Sequence, residues 1–296
     1  MRARNVLCWS SVAAIAVMVS GTVLAGSFET DATADQVPMR VSENGRATVR
    51  LTINGGGPYV FVVDTGSNRT AVTSRLAARL GLRPVATTAI VTSASAATGT
   101  VIELDEVTIG TVTRRVLPAA VLPEGAVSAL GRDADGLLGQ DFLKEQNYTL
   151  DYARGRLVWN DRVDSDRSVV RLALRSDEGR WLVALPQAAS DRDPLWFVPD
   201  SGAQALVLFD RGAAPRLPLS PLPGMLTSST VLGASNARAS LVGILRVGAL
   251  LLRDQPAIVI DRREPGAPAG DGLLPLSAFA RVTFLGTERV LIVQPR

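Results

Sequence analysis

Asp64-Thr65-Gly66 and Asp200-Ser201-Gly202 each close an apolar run, Phe61-Val62-Val63 before the first and Phe197-Val198-Pro199 before the second. Either tripeptide alone reads as a turn, because Asp, Ser, Thr and Gly are all turn formers. The two copies share more than that. Asp64 leads to Asp135-Gly136-Leu137-Leu138 and Asp200 to Asp271-Gly272-Leu273-Leu274, 71 residues on in both cases, with the second set displaced from the first by 136. A repeat at constant spacing points to a common structural origin. The chemistry open to these residues is narrow. The chain has no histidine, which excludes Ser-His-Asp and Cys-His nucleophile systems and histidine-based zinc sites. Its single cysteine, Cys8, lies in an apolar N-terminal stretch, so neither a disulfide framework nor thiol catalysis is expected in the folded part. Acid and base work falls to carboxylates, and no metal or cofactor is expected.

These residues resemble the aspartic proteases, and most closely the retropepsin-like branch with its bacterial exported relatives. Phe61-Val62-Val63-Asp64-Thr65-Gly66 and the later Leu137-Leu138-Gly139-Gln140-Asp141 carry the resemblance, which spans residues 36 to 160 closely and 168 to 296 more loosely. Fused lobes in one chain look like the pepsin arrangement, while the small size of each lobe looks retroviral. The resemblance implies that Asp64 and Asp200 are the catalytic pair. Two carboxylates face to face cannot both ionise cheaply, so they share a proton and titrate as a unit. One then serves as base toward a water while the other, protonated, hydrogen-bonds the substrate carbonyl.

Around that pair, Gly66 and Gly202 are expected to let the two loops approach where a Cβ would collide. Thr65 and Ser201 supply hydroxyls that can bond across to the opposite loop, and Ser67 and Ala203 complete the loops. Only Ser67 of these last two carries a hydroxyl. Hydrogen bonding to a carboxylate lowers its pKa, so Asp64 is expected to be the more acidic member and Asp200 to hold the proton. Residues 92 to 100, TSASAATGT, fall where the family places its substrate-covering flap, without the pepsin-type tyrosine. Asp135 and Asp271 read as structural turn residues. Two departures stand out: Pro199 precedes Asp200, and Pro275 replaces the glycine expected after Leu273-Leu274. Proline fixes φ and removes a backbone donor.

The elements that must position these residues are short strands. Residues 47–53 and 59–63 have strand composition and flank Asn54-Gly55-Gly56-Gly57-Pro58, so Asp64 should emerge at the end of a hairpin. Ser74 is placed to cap a short helix over residues 75–80 that Gly81 ends. Further strands are expected at 101–104, 116–121, 148–152 and 157–159, and in the second half at 169–174, 181–185, 195–198, 242–247, 258–260, 282–285 and 290–293. Residues 211–224, with four prolines, read as a loop, as do 262–271. The expected fold is therefore all-β: a two-lobed acid-protease (pepsin/retropepsin-like) β-barrel fold from an internal duplication, with few short helices. Its lobes are residues 36–160 and 168–296, joined by a polar linker at 161–167 (DRVDSDR).

Composition adds context. The chain of 296 residues is 47% hydrophobic and 20% charged, the profile of a globular protein, with net charge +3 and pI near 9.6. The basic residues are almost all arginines, scattered and with few aromatics beside them, so nucleic acid is not an expected partner. Residues 1–25 combine a basic start with an apolar stretch ending Val23-Leu24-Ala25, which reads as a secretory signal peptide or an N-terminal membrane anchor. Residues 26–35 then form a tether. The function expected is an exported aspartic endopeptidase, periplasmic or secreted, acting on polypeptide as a pseudo-symmetric monomer and touching membrane only through a possible N-terminal anchor. The alternatives are a catalytically inactive two-lobed peptide-binding protein, or a protease formed by dimerisation of the N-terminal lobes.

Overall fold

The computed structural model describes residues 35–92, 96–123, 130–161, 169–188, 193–210, 212–230, 233–260 and 270–296. The expected signal or anchor, the tether up to residue 34 and the linker apart from Asp161 lie outside the described residues.

Strands dominate, as the alternating and β-branched runs require. The first half holds β1 (Gln36–Val41), β2 (Ala47–Ile53), β3 (Gly56–Val63), β4 (Ala71–Thr73), β5 (Ala86–Val91), β6 (Ala96–Ile109), β7 (Val112–Leu122), β8 (Gly136–Leu138), β9 (Asn147–Asp151) and β10 (Arg156–Trp159). The second holds β11 (Val170–Asp177), β12 (Arg180–Leu185), β13 (Leu195–Asp200), β14 (Leu206–Phe209), β15 (Leu219–Thr230), β16 (Gly233–Val247), β17 (Leu250–Ile260), β18 (Gly272–Pro275), β19 (Arg281–Leu285) and β20 (Val290–Gln294). The helical elements described in full are α1 (Ser74–Arg79), α2 (Gln140–Leu143) and two 3-10 turns, Ala214–Arg216 and Leu276–Ala278. The protein is all-β.

The two halves repeat one pairing scheme. β3 runs parallel to β8 with Phe61 opposite Gly136, and β13 runs parallel to β18 with Phe197 opposite Gly272. β4 lies between β7 and β8 as β14 lies between β17 and β18. In the first half the ring β2–β3–β8–β4–β7–β6 closes where Thr52 and Ile53 pair with Thr108 and Val107. In the second half a glutamine takes that place. The Gln187 side chain donates to the Leu185 and Arg246 carbonyls and accepts from the Arg246 N–H, reproducing with an amide what a ladder pair does elsewhere.

The strands at the ends of each half form a six-stranded antiparallel sheet in the order β1–β10–β9–β19–β20–β11. At its centre β9 meets β19 with Thr149 opposite Thr283, their hydroxyls 2.7 Å apart and buried. Tyr148 stacks on Phe284 beside them, ring centroids 4.8 Å apart. One large core runs through both halves, and the Leu pairs divide between faces as strand alternation requires. Leu138 and Leu274 enter that main core, while Leu137 and Leu273 join smaller outer clusters.

Three expectations change. Residues 219–224, read as loop because of their prolines, belong to β15. Pro221 still pairs with Ser240, and Pro223 falls in the register shift between Pro221 and Met225, the kind of irregularity to which strand prolines are confined. The helix cap is Thr73, not Ser74: the Thr73 hydroxyl accepts from the Leu76 N–H at 3.2 Å, the reach of an N-cap side chain. The turn before β3 is confined to Asn54 and Gly55, both at positive φ, and the strand begins at Gly56.

Candidate active site

β3 and β13 end in Val63 and Asp200, so each chain leaves its strand into an Asp-Thr/Ser-Gly loop. Backbone N–H groups within each loop satisfy its own carboxylate. Asp64 Oδ1 accepts from the Gly66 and Ser67 amides at 3.1 and 3.0 Å, and Asp200 Oδ1 accepts from Gly202 and Ala203 at 2.7 and 3.1 Å.

The two loops are locked to each other. The Thr65 amide donates to Ser201 Oγ and the Ser201 amide to Thr65 Oγ1, both at 3.0 Å. Each hydroxyl in turn donates to a carbonyl of the opposite strand, Thr65 to Pro199 at 2.8 Å and Ser201 to Val63 at 2.7 Å. The glycines stand against the opposite acids. A Cβ on Gly66 would lie 2.5 Å from Asp200 Oδ2, and one on Gly202 would lie 3.0 Å from Asp64 Cγ. Asp64, Thr65, Gly66, Ser67, Ser201, Gly202, Ala203 and Asp200 are thus gathered at one place, close enough that each carboxyl group influences the ionisation of the other.

Electrostatics separate the pair. Asp200, 7% exposed, has its pKa pushed up to about 8, first by burial and then by the charge of Asp64. Asp64 is also raised by burial, but the Ser67 and Gly66 amides, the charge of Arg180 and the neighbouring Asp200 carboxyl group oppose the rise. The Ser67 hydroxyl, expected to stabilise the charged Asp64, takes no part in this. That hydroxyl donates to the Arg69 carbonyl at 2.7 Å, and it is the Ser67 amide that bonds Asp64.

The residues missed in the sequence lie one layer out. Gln140 Nε2 donates to the Thr65 carbonyl at 2.8 Å, and its amide donates to the Ser67 carbonyl at 2.9 Å. Asp141 takes the Thr70 amide and hydroxyl, the latter at 2.7 Å, and the Gly139 amide donates to that same hydroxyl at 3.2 Å. Gln140 and Asp141 directly follow the Leu-Leu-Gly pattern; their partners are distant in sequence, so no local signal marks their role. Asp135 and Asp271 do play matching structural parts: each accepts a strand amide, from Val60 at 3.0 Å and from Trp196 at 2.8 Å. The second half lacks the Asp141 network, since Leu206 and Ser277 stand where Thr70 and Asp141 would be. Pro275 therefore omits an N–H for which no hydroxyl waits. The expected flap falls on the β5–β6 hairpin, with residues 93–95 outside the described residues.

Apolar strands delivering two Asp-Thr/Ser-Gly loops into one interlocked contact define a recognisable pattern. Residues 49–142 match the aspartyl protease family. The aspartyl protease match begins in β2, includes Asp64-Thr65-Gly66 and Gly136 to Gln140, and ends in α2. It supports aspartic protease activity, a peptidase reaction, in general terms. No curated protein matches the chain.

Proposed function

We propose that the protein is an aspartic endopeptidase in which Asp64 and Asp200 of one chain activate a water for attack on a peptide bond. Asp64, ionised, accepts a proton from the water as its oxygen adds to the carbonyl carbon. Asp200, protonated, donates to the carbonyl oxygen, giving a neutral gem-diol. Collapse of that intermediate breaks the C–N bond, with the proton held by Asp64 passing to the leaving nitrogen and Asp200 recovering its own. The observation that carries this reading is the reciprocal bonding of Thr65 and Ser201, which joins the two acids within one polypeptide and leaves no need for a second copy. The reading extends to a monomeric enzyme acting on polypeptide outside the cytoplasm, the latter on the composition of residues 1–25.

The test is cleavage of an unfolded protein at mildly acid pH. Loss of cleavage in Asp64→Asn and in Asp200→Asn separately, with specific activity independent of enzyme concentration, supports it. Cleavage that survives Asp200→Asn, or peptide bound but never cut by the wild type, overturns it.

A further inference from the structure

The ladders equate Val49 with Val183, since each pairs with the phenylalanine three residues before an aspartate of the pair. By that register Arg46, just before β2, is the counterpart of Arg180, the first residue of β12. The counterparts do different things. Arg46 Nη1 donates to the Leu130 carbonyl at 2.9 Å, within its own half. Arg180, 7% exposed, crosses to the other half and donates from Nε to the Gly66 carbonyl at 2.9 Å.

That carbonyl belongs to the peptide unit whose N–H is the Ser67 amide, which donates to Asp64 Oδ1 at 3.0 Å. A cation on the oxygen of an amide polarises it and strengthens its N–H as a donor. Arg180 thus acts on Asp64 twice, through the chain Arg180–Gly66–Ser67–Asp64 and directly through its charge. The matching unit in the other loop, Gly202–Ala203, receives no such bond from Arg46.

We propose that Arg180 is a positioning residue that breaks the near-symmetry of the pair, holding the negative charge on Asp64 and leaving the proton on Asp200. This rests on the hydrolytic reading above. The groups facing Asp64 are Asp200, Arg180 and Arg46; those facing Arg180 are Asp64, Asp200, Asp177 and Glu178; Asp200 also faces the Tyr152 phenol. Asp177 ends β11 and Glu178 opens the turn into β12, and Asn68 of the first loop donates to the Glu178 carbonyl at 3.2 Å, which fixes that turn against the site.

The test is a carbon-13 NMR titration of aspartate carboxyls in the full chain, with the pair assigned through Asp64→Asn and Asp200→Asn. In Arg180→Gln the lower step of the pair should rise by about one pH unit, the size expected for loss of a nearby opposite charge. The acid limb of kcat/KM should move with it. Arg180→Lys, which keeps the charge, should shift the lower step by less than half as much. A folded Arg180→Gln whose lower step stays put overturns the proposal. Should that variant not fold, Arg180→Met, which fills similar space without charge, decides by the same step: a rise of about one pH unit supports the proposal, and an unmoved step overturns it. Cleavage that needs both aspartates, with an unmoved titration, removes this inference alone. A protein that cuts nothing but titrates as described removes the hydrolytic reading alone.

Discussion

Thr65 and Ser201 hold one another by four hydrogen bonds: two amides reach the partner's hydroxyl, and both hydroxyls reach a carbonyl of the partner's strand. Both residues are buried, so no water replaces a lost partner. Thr65→Ala strands the Ser201 amide and the Pro199 carbonyl, and should destabilise the fold by about 2–4 kcal/mol, the cost of two buried unpaired groups. Thr65→Ser keeps the hydroxyl and should recover most of that. Denaturant unfolding measures both, and activity should fall with Thr65→Ala even below the unfolding transition.

The glycines should differ in tolerance. Gly66→Ala drives its methyl into the whole Asp200 carboxyl, whereas Gly202→Ala meets Asp64 Cγ at 3.0 Å, where a few tenths of an ångström of relaxation suffices. Gly66→Ala should reduce kcat on the order of 100-fold or more, the scale of a 1 Å misplacement at reacting groups. Gly202→Ala should lose less. Steady-state rates on one peptide substrate compare them.

Both members of the pair are raised above ordinary carboxylate values, Asp200 to about 8. A raised carboxyl keeps its proton in the folded state where the unfolded chain has lost it. Its contribution is therefore fully present below the unfolded value of about 4 and is lost as pH climbs toward about 8. Asp200→Asn cannot ionise, so its melting temperature should gain on the wild type progressively from pH 5 to pH 8 and no further beyond. Wild-type hydrolysis should fail over that same upper range, as the pair gives up its last proton.

Pro275 should be harmless where Gly139 is essential. A Cβ on Gly139 would meet the Arg69 carbonyl group and lie 2.8 Å from the Thr70 nitrogen, while the strand at Pro275 already accommodates a ring. Pro275→Gly should cost about 0.4–1 kcal/mol through the unfolded chain and leave kcat unchanged. Gly139→Ala should cost more and lower activity. Thermal unfolding and turnover of the two variants give the comparison.

What was legible in the sequence follows range of interaction. The strands around Asp64 and Asp200 announce themselves through β-branched runs and turn residues, whereas β8 and β18, only three and four residues long, read as turns followed by core leucines even though their constant spacing marks the repeat. Features set by distant partners do not announce themselves. β15 was hidden by prolines that a register shift absorbs. Adjacency assigns the Ser67 hydroxyl to Asp64, yet it donates to the Arg69 carbonyl within the same turn. Arg180 looked like any of many scattered arginines, because nothing local records that its guanidinium faces Gly66 from the other half.

The ladder between β9 and β19 joins the halves that carry the two acids, and it functions as their vernier. Sliding it one residue off Thr149 and Thr283 would displace one half against the other by about 3.4 Å, one strand step. That exceeds the slack the Thr65–Ser201 lock allows. Alignment along this ladder and alignment of the Asp64 and Asp200 carboxyl groups are a single adjustment, so substitutions that shift the register of β9 against β19 should detune the pair.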